Sequence, residues 1–329
     1  MLKKHLALLS ILNTRPLRQF FKSIILFPLA ISLLTSTQTQ AQAIPIAVGI
    51  DPTFVAFFVA KENKLFEKNG LDINLLSFGP GGSMVDGLVA GQAVISASTE
   101  TTNLVRMGRS PDVVAIGVVG ESGDNLKLVA NKAITSPTDI KVMGVVPGGV
   151  FEYLNHLTFT QYDMDSSTIK IVQSGPPELP ALLARGDIDA FWIFEPFATL
   201  AQRHGAHLLN HSKDVGYAYN FWVLASKAWL QKNPADAYKI LETLDEACNL
   251  INQDPQAAAK AVHAQVRIPI AQTLEFLKES QCQVRAFTET DLTNYEAISE
   301  FLLSKNITPS LVPVRAQILT DFIAENQPN

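Results

Sequence analysis

Two segments of this chain, 87–101 and 182–196, repeat one layout at an offset of 95 positions. Each reads as a short helix, a turn glycine, an apolar strand and then a glutamate. Without gaps, the offset aligns Gly49 with Gly144, Gly91 with Gly186, and Glu100 with Glu195. Few residues are identical between the two copies, so the shared order of elements is better evidence for the repeat than the aligned residues. Two copies of a βαβ-type unit predict two lobes of similar build whose loops face each other across a gap, and such a gap is a binding site.

Strand and helix patterns alternate through both halves of the chain. In the first half, strands are predicted at 46–50, 71–78, 93–97 and 113–119, with helices at 54–69 and 101–109. In the second half, strands are predicted at 142–146, 168–172, 188–194 and 220–225, with helices at 150–162 and 178–185. This alternation predicts an α/β fold with mainly parallel sheets covered on both faces. Further helices at 235–252, 256–265, 270–281, 296–303 and 314–325 are expected to pack on the first lobe as a helical C-terminal tail.

The first 43 residues have the layout of a secretory signal peptide. Five basic and no acidic residues accompany an apolar run at 23–34, and Ala41-Gln42-Ala43 forms a small-x-small cleavage site. A membrane anchor is the alternative, but it needs about 20 unbroken apolar residues, and Pro28 interrupts this run. No cysteine follows the run closely, which argues against a lipid anchor. We therefore expect a soluble, monomeric, periplasmic protein that begins at Ile44.

Charge and size limit the possible functions and architectures further. Without the leader the chain has 21 basic and 31 acidic residues, a net charge of −10. An acidic surface argues against nucleic acid or an anionic membrane as a partner. The remaining 286 residues exceed what one core usually fills, so size also favours two lobes. We expect 44–130 and 218–329 to form lobe I and 131–217 to form lobe II, with a hinge near 127–133 and 214–220.

Cysteine usage is sparse. Cys248 and Cys282 are the only cysteines of the sequence. Export to an oxidising compartment permits a disulfide between them. Two separate buried thiols on helices are the alternative, and no functional prediction depends on which is correct.

Two glycine turns open helices at matched places in the two lobes. Gly79-Pro80-Gly81-Gly82-Ser83 lacks the Gly-Lys-Ser/Thr ending of a nucleotide-hydrolysing loop, so nucleotide chemistry is not expected. Its helix N-terminus offers backbone N–H groups and the Ser83 hydroxyl, which favour an anionic or polar ligand head. Pro147-Gly148-Gly149 opens the helix at Val150 in the same way. No arginine or lysine falls in these loops.

Glu100 and Glu195 each follow an apolar strand at its carboxyl end, where open α/β sheets bind ligands. Two carboxylates at a cleft suit acid–base catalysis or the binding of an amine or hydroxyl group. Catalysis needs a nucleophile or cofactor beside them, and the sequence shows none. We therefore expect a binding protein without a cofactor rather than an enzyme. Glu195 also has a structural alternative, because before Pro196 it is placed to cap the next helix.

Two other candidate chemistries are not expected. His204, His207 and His211 have the close spacing of zinc ligands. Gly205 interrupts the stretch and prevents a common face, so no metal site is expected there. Ser83 has no evident histidine base and no Gly-x-Ser-x-Gly elbow occurs, which argues against a hydrolase.

The aromatic residues mostly follow strand and helix spacing, which is typical of a core. Phe54 and Phe151 fall in turns that face the gap, so we expect them to hold the apolar body of a ligand. Trp222 is expected near the cleft or hinge. The full set of candidate ligand contacts is Asp51, Thr53, Phe54, Gly81, Gly82, Ser83, Thr99, Glu100, Thr101, Gly148, Gly149, Val150, Phe151, Glu195 and Trp222.

Several stretches resemble the solute-binding proteins of ABC importers for nitrate, sulfonates and taurine. The resemblance rests on 60–72, on Gly82-Ser83 with 88–91, and above all on 185–190 with Glu195-Pro196. It implies a two-lobed, type II (Venus-flytrap) binding protein that delivers its ligand to a separate permease and ATPase. Thr99-Glu100-Thr101 stands where many relatives carry small neutral residues. This departure favours a ligand that combines an anionic or polar head with a donor group such as an amine.

Three functions fit the sequence. The first is the exported binding protein of an importer. The second is a sensor or partner-binding module that uses the same fold. The third is an enzyme related to pyrimidine-precursor synthesis, which the export signal and the absent catalytic constellation disfavour. The identity of the ligand lies beyond the sequence.

Overall fold

The computed structural model describes residues 43–79, 82–147 and 149–327. Residues 1–42 of the expected signal peptide lie outside the described residues, as do the candidate contacts Gly81 and Gly148. All elements below belong to one compact unit, Ala41–Asn329. In the described part of the chain, no helix is long and apolar enough to cross a membrane.

The strands, in chain order, are β1 (Ile44–Val48), β2 (Ile73–Ser77), β3 (Ile95–Thr99), β4 (Val113–Ser122), β5 (Lys127–Ala130), β6 (Val142–Val145), β7 (Lys170–Gln173), β8 (Ala190–Ile193), β9 (His207–His211), β10 (Tyr219–Ser226) and β11 (Gln281–Arg285). The α-helices are α1 (Val55–Glu62), α2 (Leu65–Lys68), α3 (Ser83–Val89), α4 (Glu100–Met107), α5 (Val150–Gln161), α6 (Leu179–Arg185), α7 (Phe197–Arg203), α8 (Lys227–Leu230), α9 (Pro234–Gln253), α10 (Pro255–Val266), α11 (Ile270–Lys278), α12 (Glu289–Ser304), α13 (Val314–Gln317) and α14 (Phe322–Asn326). Short 3-10 helices lie at Pro52–Phe54, Pro137–Asp139, Ser166–Thr168 and Ser212–Val215.

The strands form two sheets of related order. A six-stranded sheet runs β11-β4-β10-β3-β1-β2, and a five-stranded sheet runs β7-β6-β8-β5-β9. In the first sheet β2, β1 and β3 are parallel and β10 lies antiparallel to β3. In the second, β7, β6 and β8 are parallel and β5 lies antiparallel to β8. The predicted α/β fold with two related lobes is therefore confirmed. The expectation of mainly parallel sheets is wrong, because among the described strands four pairs are parallel and five are antiparallel. We call the elements on the six-stranded sheet the first lobe and those on the five-stranded sheet the second lobe.

The strand registers show where the repeat holds and where it shifts. Ile46 of β1 lies opposite Ile95 of β3, and Met143 of β6 lies opposite Ala190 of β8. Ile95 and Ala190 are 95 positions apart, whereas Ile46 and Met143 are 97 apart. The offset of 95 thus holds for the strands that precede the two glutamates. The gapless pairing of Gly49 with Gly144 is wrong by two residues.

Three predicted elements need correction. Lys127–Ala130, assigned by sequence to lobe I, pairs with β8 and β9 in the five-stranded sheet, so the chain first crosses between lobes at 123–126. The predicted helix 54–69 is interrupted at Lys64, whose φ is 55°. Gln281–Arg285, expected at the end of a helix and beyond, is an edge strand paired with β4. The exact lobe boundaries otherwise remain a prediction.

The C-terminal helices cover the first lobe, and α9, α10 and α11 begin within one residue of the predicted starts. The helix predicted at 296–303 instead begins at Glu289, and the one predicted at 314–325 is divided into α13 and α14. Pro234 and Pro255 are the first residues of α9 and α10, and the Asp254 carboxylate accepts a hydrogen bond from the Ala257 amide at 2.9 Å. Helix α9 packs on α1 and β11, and α12 packs on α4. A disulfide joins Cys248 of α9 to Cys282 of β11, so the alternative of two separate thiols is wrong.

Candidate functional site

The loops that follow the parallel strands of the two lobes meet each other. Gly149 begins α5 in the second lobe, and Thr101 lies in the first turn of α4 in the first lobe. A methyl group added at Gly149 would lie 3.2 Å from the Cγ2 atom of Thr101. The two predicted contacts are therefore neighbours across the gap. This is the carboxyl edge of both sheets, where ligands of open α/β folds bind.

In the loop after β1, Asp51 and Thr53 are partly buried, whereas Phe54 lies in the core. The Asp51 carboxylate accepts hydrogen bonds from the Thr53 amide, at 3.0 Å, and from the Thr53 hydroxyl. Burial raises the pKa of Asp51, and the bonds from Thr53 oppose that shift. Phe54 is 1% exposed and meets the Phe221 ring edge-on at 5.0 Å. The Phe54 ring is thus covered by the first lobe itself, and its contact with ligand stays a prediction.

The glycine turn before α3 carries a cation that sequence analysis missed. A methyl group at Gly82 would lie 2.5 Å from the Cζ atom of Arg106, which reaches over the turn from α4. The Arg106 guanidinium also pairs with Asp86, at 3.1 and 3.3 Å. The Ser83 hydroxyl donates to the Gly79 carbonyl. A cation therefore lies beside this turn although the loop sequence itself has no Arg or Lys, and Asp86 balances its charge.

Glu100 is buried and bonded within the chain. It is 1% exposed, and its carboxylate accepts hydrogen bonds from the Tyr217 hydroxyl, the Asn220 amide at 2.9 Å and the Thr101 hydroxyl at 3.0 Å. Burial raises its pKa, although these bonds favour the carboxylate. Tyr217 belongs to the segment that returns from the second lobe to the first. The structure thus gives Glu100 a role in holding that connection, and its direct ligand contact stays a prediction.

Glu195 occupies the position that the helix-capping alternative requires. Its Oε2 atom accepts a hydrogen bond from the Thr199 amide of α7 at 3.0 Å. Its Oε1 atom lies 2.8 Å from the Lys127 ammonium of β5. Burial raises the pKa of Glu195, but the bonds from Lys127 and Thr199 outweigh burial, so the pKa lies below its ordinary value. Contact with ligand is not needed to explain this carboxylate.

Lys127 connects Glu195 to the first lobe. Its ammonium also lies 2.6 Å from a carboxylate oxygen of Glu279, at the end of α11. The Lys127 side chain is 9% exposed. Burial alone would lower the Lys127 pKa, yet the two carboxylates raise it above its ordinary value. Lys127 was not among the predicted site residues, because its partners lie 68 positions or more away along the sequence.

The second lobe lines the gap with aromatic rings. Phe151, in the first turn of α5, stacks with Phe194 at a ring distance of 6.1 Å, and Phe194 meets Phe197 edge-on at 5.5 Å. Phe194 is 38% exposed, whereas Phe151 is buried. Phe194 was not among the predicted contacts. The repeat itself points to it, because at an offset of 95 it corresponds to the predicted contact Thr99.

Trp222 is a core residue of the first lobe. It is 0% exposed, its indole N–H donates to the Tyr295 hydroxyl at 3.2 Å, and its ring packs on Phe287 and Tyr295. Trp192 is equally buried in the second lobe, where it donates to the Thr158 hydroxyl. Residues of β10 alternate between the faces of the sheet, and Trp222 faces α12, so its contact with ligand stays a prediction.

Two further features lie beside the predicted contacts. A cavity of about 190 Å³ lies at the foot of α1, lined by Thr53, Val119, Tyr219, Phe221, Phe276 and Cys282 among others. Of the predicted contacts, it borders only Thr53. Among the described residues no cluster of three or more His, Cys, Asp or Glu side chains has the geometry of a metal site. His211 Nδ1 instead lies 2.8 Å from the Asp124 carbonyl oxygen.

The fold is that of solved periplasmic binding proteins. The periplasmic aliphatic sulphonate-binding protein of Escherichia coli has a TM-score of 0.76 at 18% identity, over 87% of this chain and 92% of that one. The alkanesulfonate-binding protein of Xanthomonas axonopodis bound to MOPS has a TM-score of 0.67 at 17% identity, over 84% and 98%. A desulfurization enzyme shares the fold with a TM-score of 0.61 at 14% identity, over 86% and 98%.

Sequence comparison identifies the family. The NMT1-like family profile matches residues 51–266, and the chain belongs to this family. The taurine-binding periplasmic protein of Escherichia coli is 24% identical over 202 residues, 59% of this chain and 62% of the relative. A putative aliphatic sulfonates-binding protein of Bacillus subtilis is 25% identical over 221 residues, 61% and 64%. The matches thus span less than two thirds of these relatives. The resemblance to binding proteins for sulfonates and taurine is confirmed.

Proposed function

We propose that this chain is the exported solute-binding component of an ABC importer. It takes a small organic ligand with an anionic or strongly polar head between the lobes and delivers it to a permease and ATPase. One observation carries the proposal. The loops at the carboxyl ends of two sheets of related order meet across the gap, with Gly149 against Thr101. The relatives that bind taurine and aliphatic sulfonates support the same class of ligand.

The charges near the gap support an anionic head. Arg106 lies over the Gly82 turn, and the N-termini of α4 and α5 add backbone N–H groups on both sides of the gap. Glu100 is occupied by donors of the chain itself. A donor group on the ligand, such as an amine, would therefore meet Asp51, the partly exposed carboxylate of the loop after β1.

Binding is favoured over catalysis because the cysteines and the two candidate carboxylates of this chain are engaged in other bonds. The fold also occurs in a desulfurization enzyme. The only two cysteines of the sequence are joined in the disulfide, so neither supplies a free thiol. Both also lie far along the sequence from the loops that meet across the gap. The two candidate carboxylates are engaged in hydrogen bonds to Tyr217 and Lys127. We therefore propose a binding protein of periplasmic location, acting as a monomer.

The decisive experiment is a ligand screen on the chain that begins at Ile44. Thermal unfolding is measured with taurine, ethanesulfonate, benzenesulfonate, nitrate, aromatic carboxylates and pyrimidines. A ligand present at 100 times its dissociation constant stabilises the protein by about 2.7 kcal/mol. We expect at least one organic anion to do so, and to reduce the radius of gyration measured by X-ray scattering.

A negative result in this screen is equally informative. If no organic anion stabilises the protein, the proposed ligand class is wrong. If a ligand stabilises it without any compaction, the closing of two lobes is wrong while binding stands. Export is tested separately by the intact mass of protein from the periplasmic fraction, where retention of residues 1–43 would contradict the signal peptide.

A further inference from the structure

The two walls of the gap differ in chemistry. Thr99 ends β3 in the first lobe, and Phe194 follows β8 at the corresponding place in the second. The Thr99 hydroxyl donates to the Thr102 hydroxyl at 3.2 Å, so the first wall is polar. The second wall carries the phenyl ring of Phe194 at the corresponding position of the repeat. A ligand that fits both walls needs two chemically different ends.

The Phe194 ring is held in place and still partly uncovered. Phe151 stacks on it at 6.1 Å with an angle of 25° between the ring planes. Phe197 meets it edge-on, at 5.5 Å and 79°. The residue nevertheless remains 38% exposed. Two neighbours fix its orientation, so a ring that stacks on it has little ordering entropy to overcome.

Phe194 lies between two contacts that join the lobes. Its stacking partner Phe151 lies two residues after Gly149, where an added methyl group would lie 3.2 Å from Thr101 of the first lobe. The next residue, Glu195, binds Lys127, which in turn binds Glu279 of the first lobe. The ring is therefore placed along the line where the lobes meet, rather than on an outer surface of the second lobe.

From this arrangement we propose that the ligand carries a planar aromatic ring that stacks on Phe194. Its polar or anionic head points to Thr99 and Thr102. This inference rests on the proposed function and names the ligand class of the same site. An aromatic ring in offset or edge contact with a phenyl ring gains attraction beyond the apolar area that it covers. A short alkyl chain gains only part of that area and leaves the Phe194 ring incompletely covered.

Two probes with one head group test the proposal. Benzenesulfonate and ethanesulfonate are titrated calorimetrically into the chain that begins at Ile44. We expect benzenesulfonate to bind about tenfold tighter or more. In Phe194→Ala the ratio of the two affinities should fall to within about threefold. Phe194→Leu, which keeps an apolar side chain and removes the ring, should lose most of the ratio, and Phe194→Tyr should retain it.

Leu200→Ala provides the matched control, because Leu200 is 37% exposed in the same lobe but lies on α7 away from the gap. It should leave both affinities unchanged. The inference is overturned if the wild type binds the two sulfonates equally, or if Phe194→Leu keeps the ratio. Those outcomes leave the proposed function intact, since ethanesulfonate still binds. If neither sulfonate binds the wild type, both the sulfonate-like ligand class and this inference are wrong.

Discussion

The Lys127 ammonium lies 2.6 Å from the Glu279 carboxylate, and this ion pair joins the second lobe to the first. Lys127 also lies 2.8 Å from Glu195, so two carboxylates share one cation and the three groups keep a net negative charge. The Glu279 Oε2 atom is buried and has no hydrogen-bond partner among the described residues. Glu195 and Glu279 therefore both depend on Lys127 as their shared cation.

Replacing Lys127 should destabilise the protein more than replacing a lysine that forms an exposed ion pair. Lys127→Met leaves Glu195 and Glu279 close together without their cation, and removing a hydrogen bond to a charged group costs about 1.5–3 kcal/mol. We expect a loss of that size in the free energy of unfolding measured in urea. The matched control is Lys278→Met, which removes an equally short pair with Glu275 at 2.6 Å on an exposed surface. Exposed pairs contribute about 0–1 kcal/mol. Equal losses in the two variants would contradict the role assigned to Lys127.

The sequence predicts the order of elements better than their partners. Alternating strands and helices, together with the repeat, predict two mainly parallel sheets with loops at one edge. The loops do lie there, but both sheets are mixed, because β10 and β5 run antiparallel to their neighbours. The pairing of Glu100 with Tyr217 spans 117 positions, and nothing local in either segment indicates it. Phe54 and Trp222 illustrate the same limit. An aromatic residue in a turn or strand has the same local pattern whether its ring faces the gap or the core, and only packing decides.

Arg106 was missed for a related reason. It lies on α4, far along the sequence from the Gly82 turn, and only the packing of α4 beside that turn brings the guanidinium over it. The edge strand β11 was missed because it is short and follows a helix-like stretch, and its pairing with β4 depends on tertiary contacts. Short edge strands are a case in which context overrides local propensity.

Reducing the disulfide should weaken the first lobe. Cys248 and Cys282 are 34 positions apart, and closing a loop of that length restricts the unfolded chain by roughly 3–4 kcal/mol. We expect a loss of that order when unfolding in guanidinium chloride is repeated with a reductant. The variant Cys248→Ser with Cys282→Ser should start at the lower stability and not respond to the reductant. An unchanged wild type, with both thiols shown to be free by labelling, would contradict the stabilising role.

Glu100 should give the stability a characteristic dependence on pH. Burial raises its pKa in the folded state, so the folded protein holds the proton to a higher pH than the unfolded chain, whose value is about 4.3. The stability that it contributes is therefore present below about pH 4.3 and is lost as the pH rises through the raised pKa. The pKa values of Glu195 and Asp291 are lowered in the folded state, so these carboxylates contribute stability that is lost as the pH falls, at lower pH than the change due to Glu100.

The measurement is the free energy of unfolding of the wild type minus that of Glu100→Gln across the acid-to-neutral range. We expect this difference to fall as the pH rises above about 4.3. Tyr217→Phe removes a hydrogen bond that favours the carboxylate, so it should move the fall to higher pH. A difference that stays constant with pH would show that Glu100 titrates alike in the folded and unfolded states.

Gly149 should be needed for the lobes to close. Its φ of 156° is unfavourable for residues with a side chain, and an added methyl group would lie 3.2 Å from Thr101 across the gap. Gly149→Ala therefore combines backbone strain with a contact that resists closure. Gly186→Ala is the control for strain alone, since Gly186 has a φ of 79° and open space around it.

Ligand affinity and the radius of gyration of the ligand-bound protein separate these two effects. Relative to Gly186→Ala, Gly149→Ala should weaken binding by about fivefold, which corresponds to roughly 1 kcal/mol, and leave the bound protein less compact. Adding Thr101→Ser removes the opposing methyl group and keeps the hydroxyl that bonds Glu100 at 3.0 Å. The double variant should regain most of the affinity and compaction. If Gly149→Ala binds as tightly as Gly186→Ala, the Gly149–Thr101 contact does not limit closure. The same conclusion follows if Thr101→Ser restores nothing, because the loss of affinity would then come from backbone strain at residue 149, which removal of the Thr101 methyl group does not relieve.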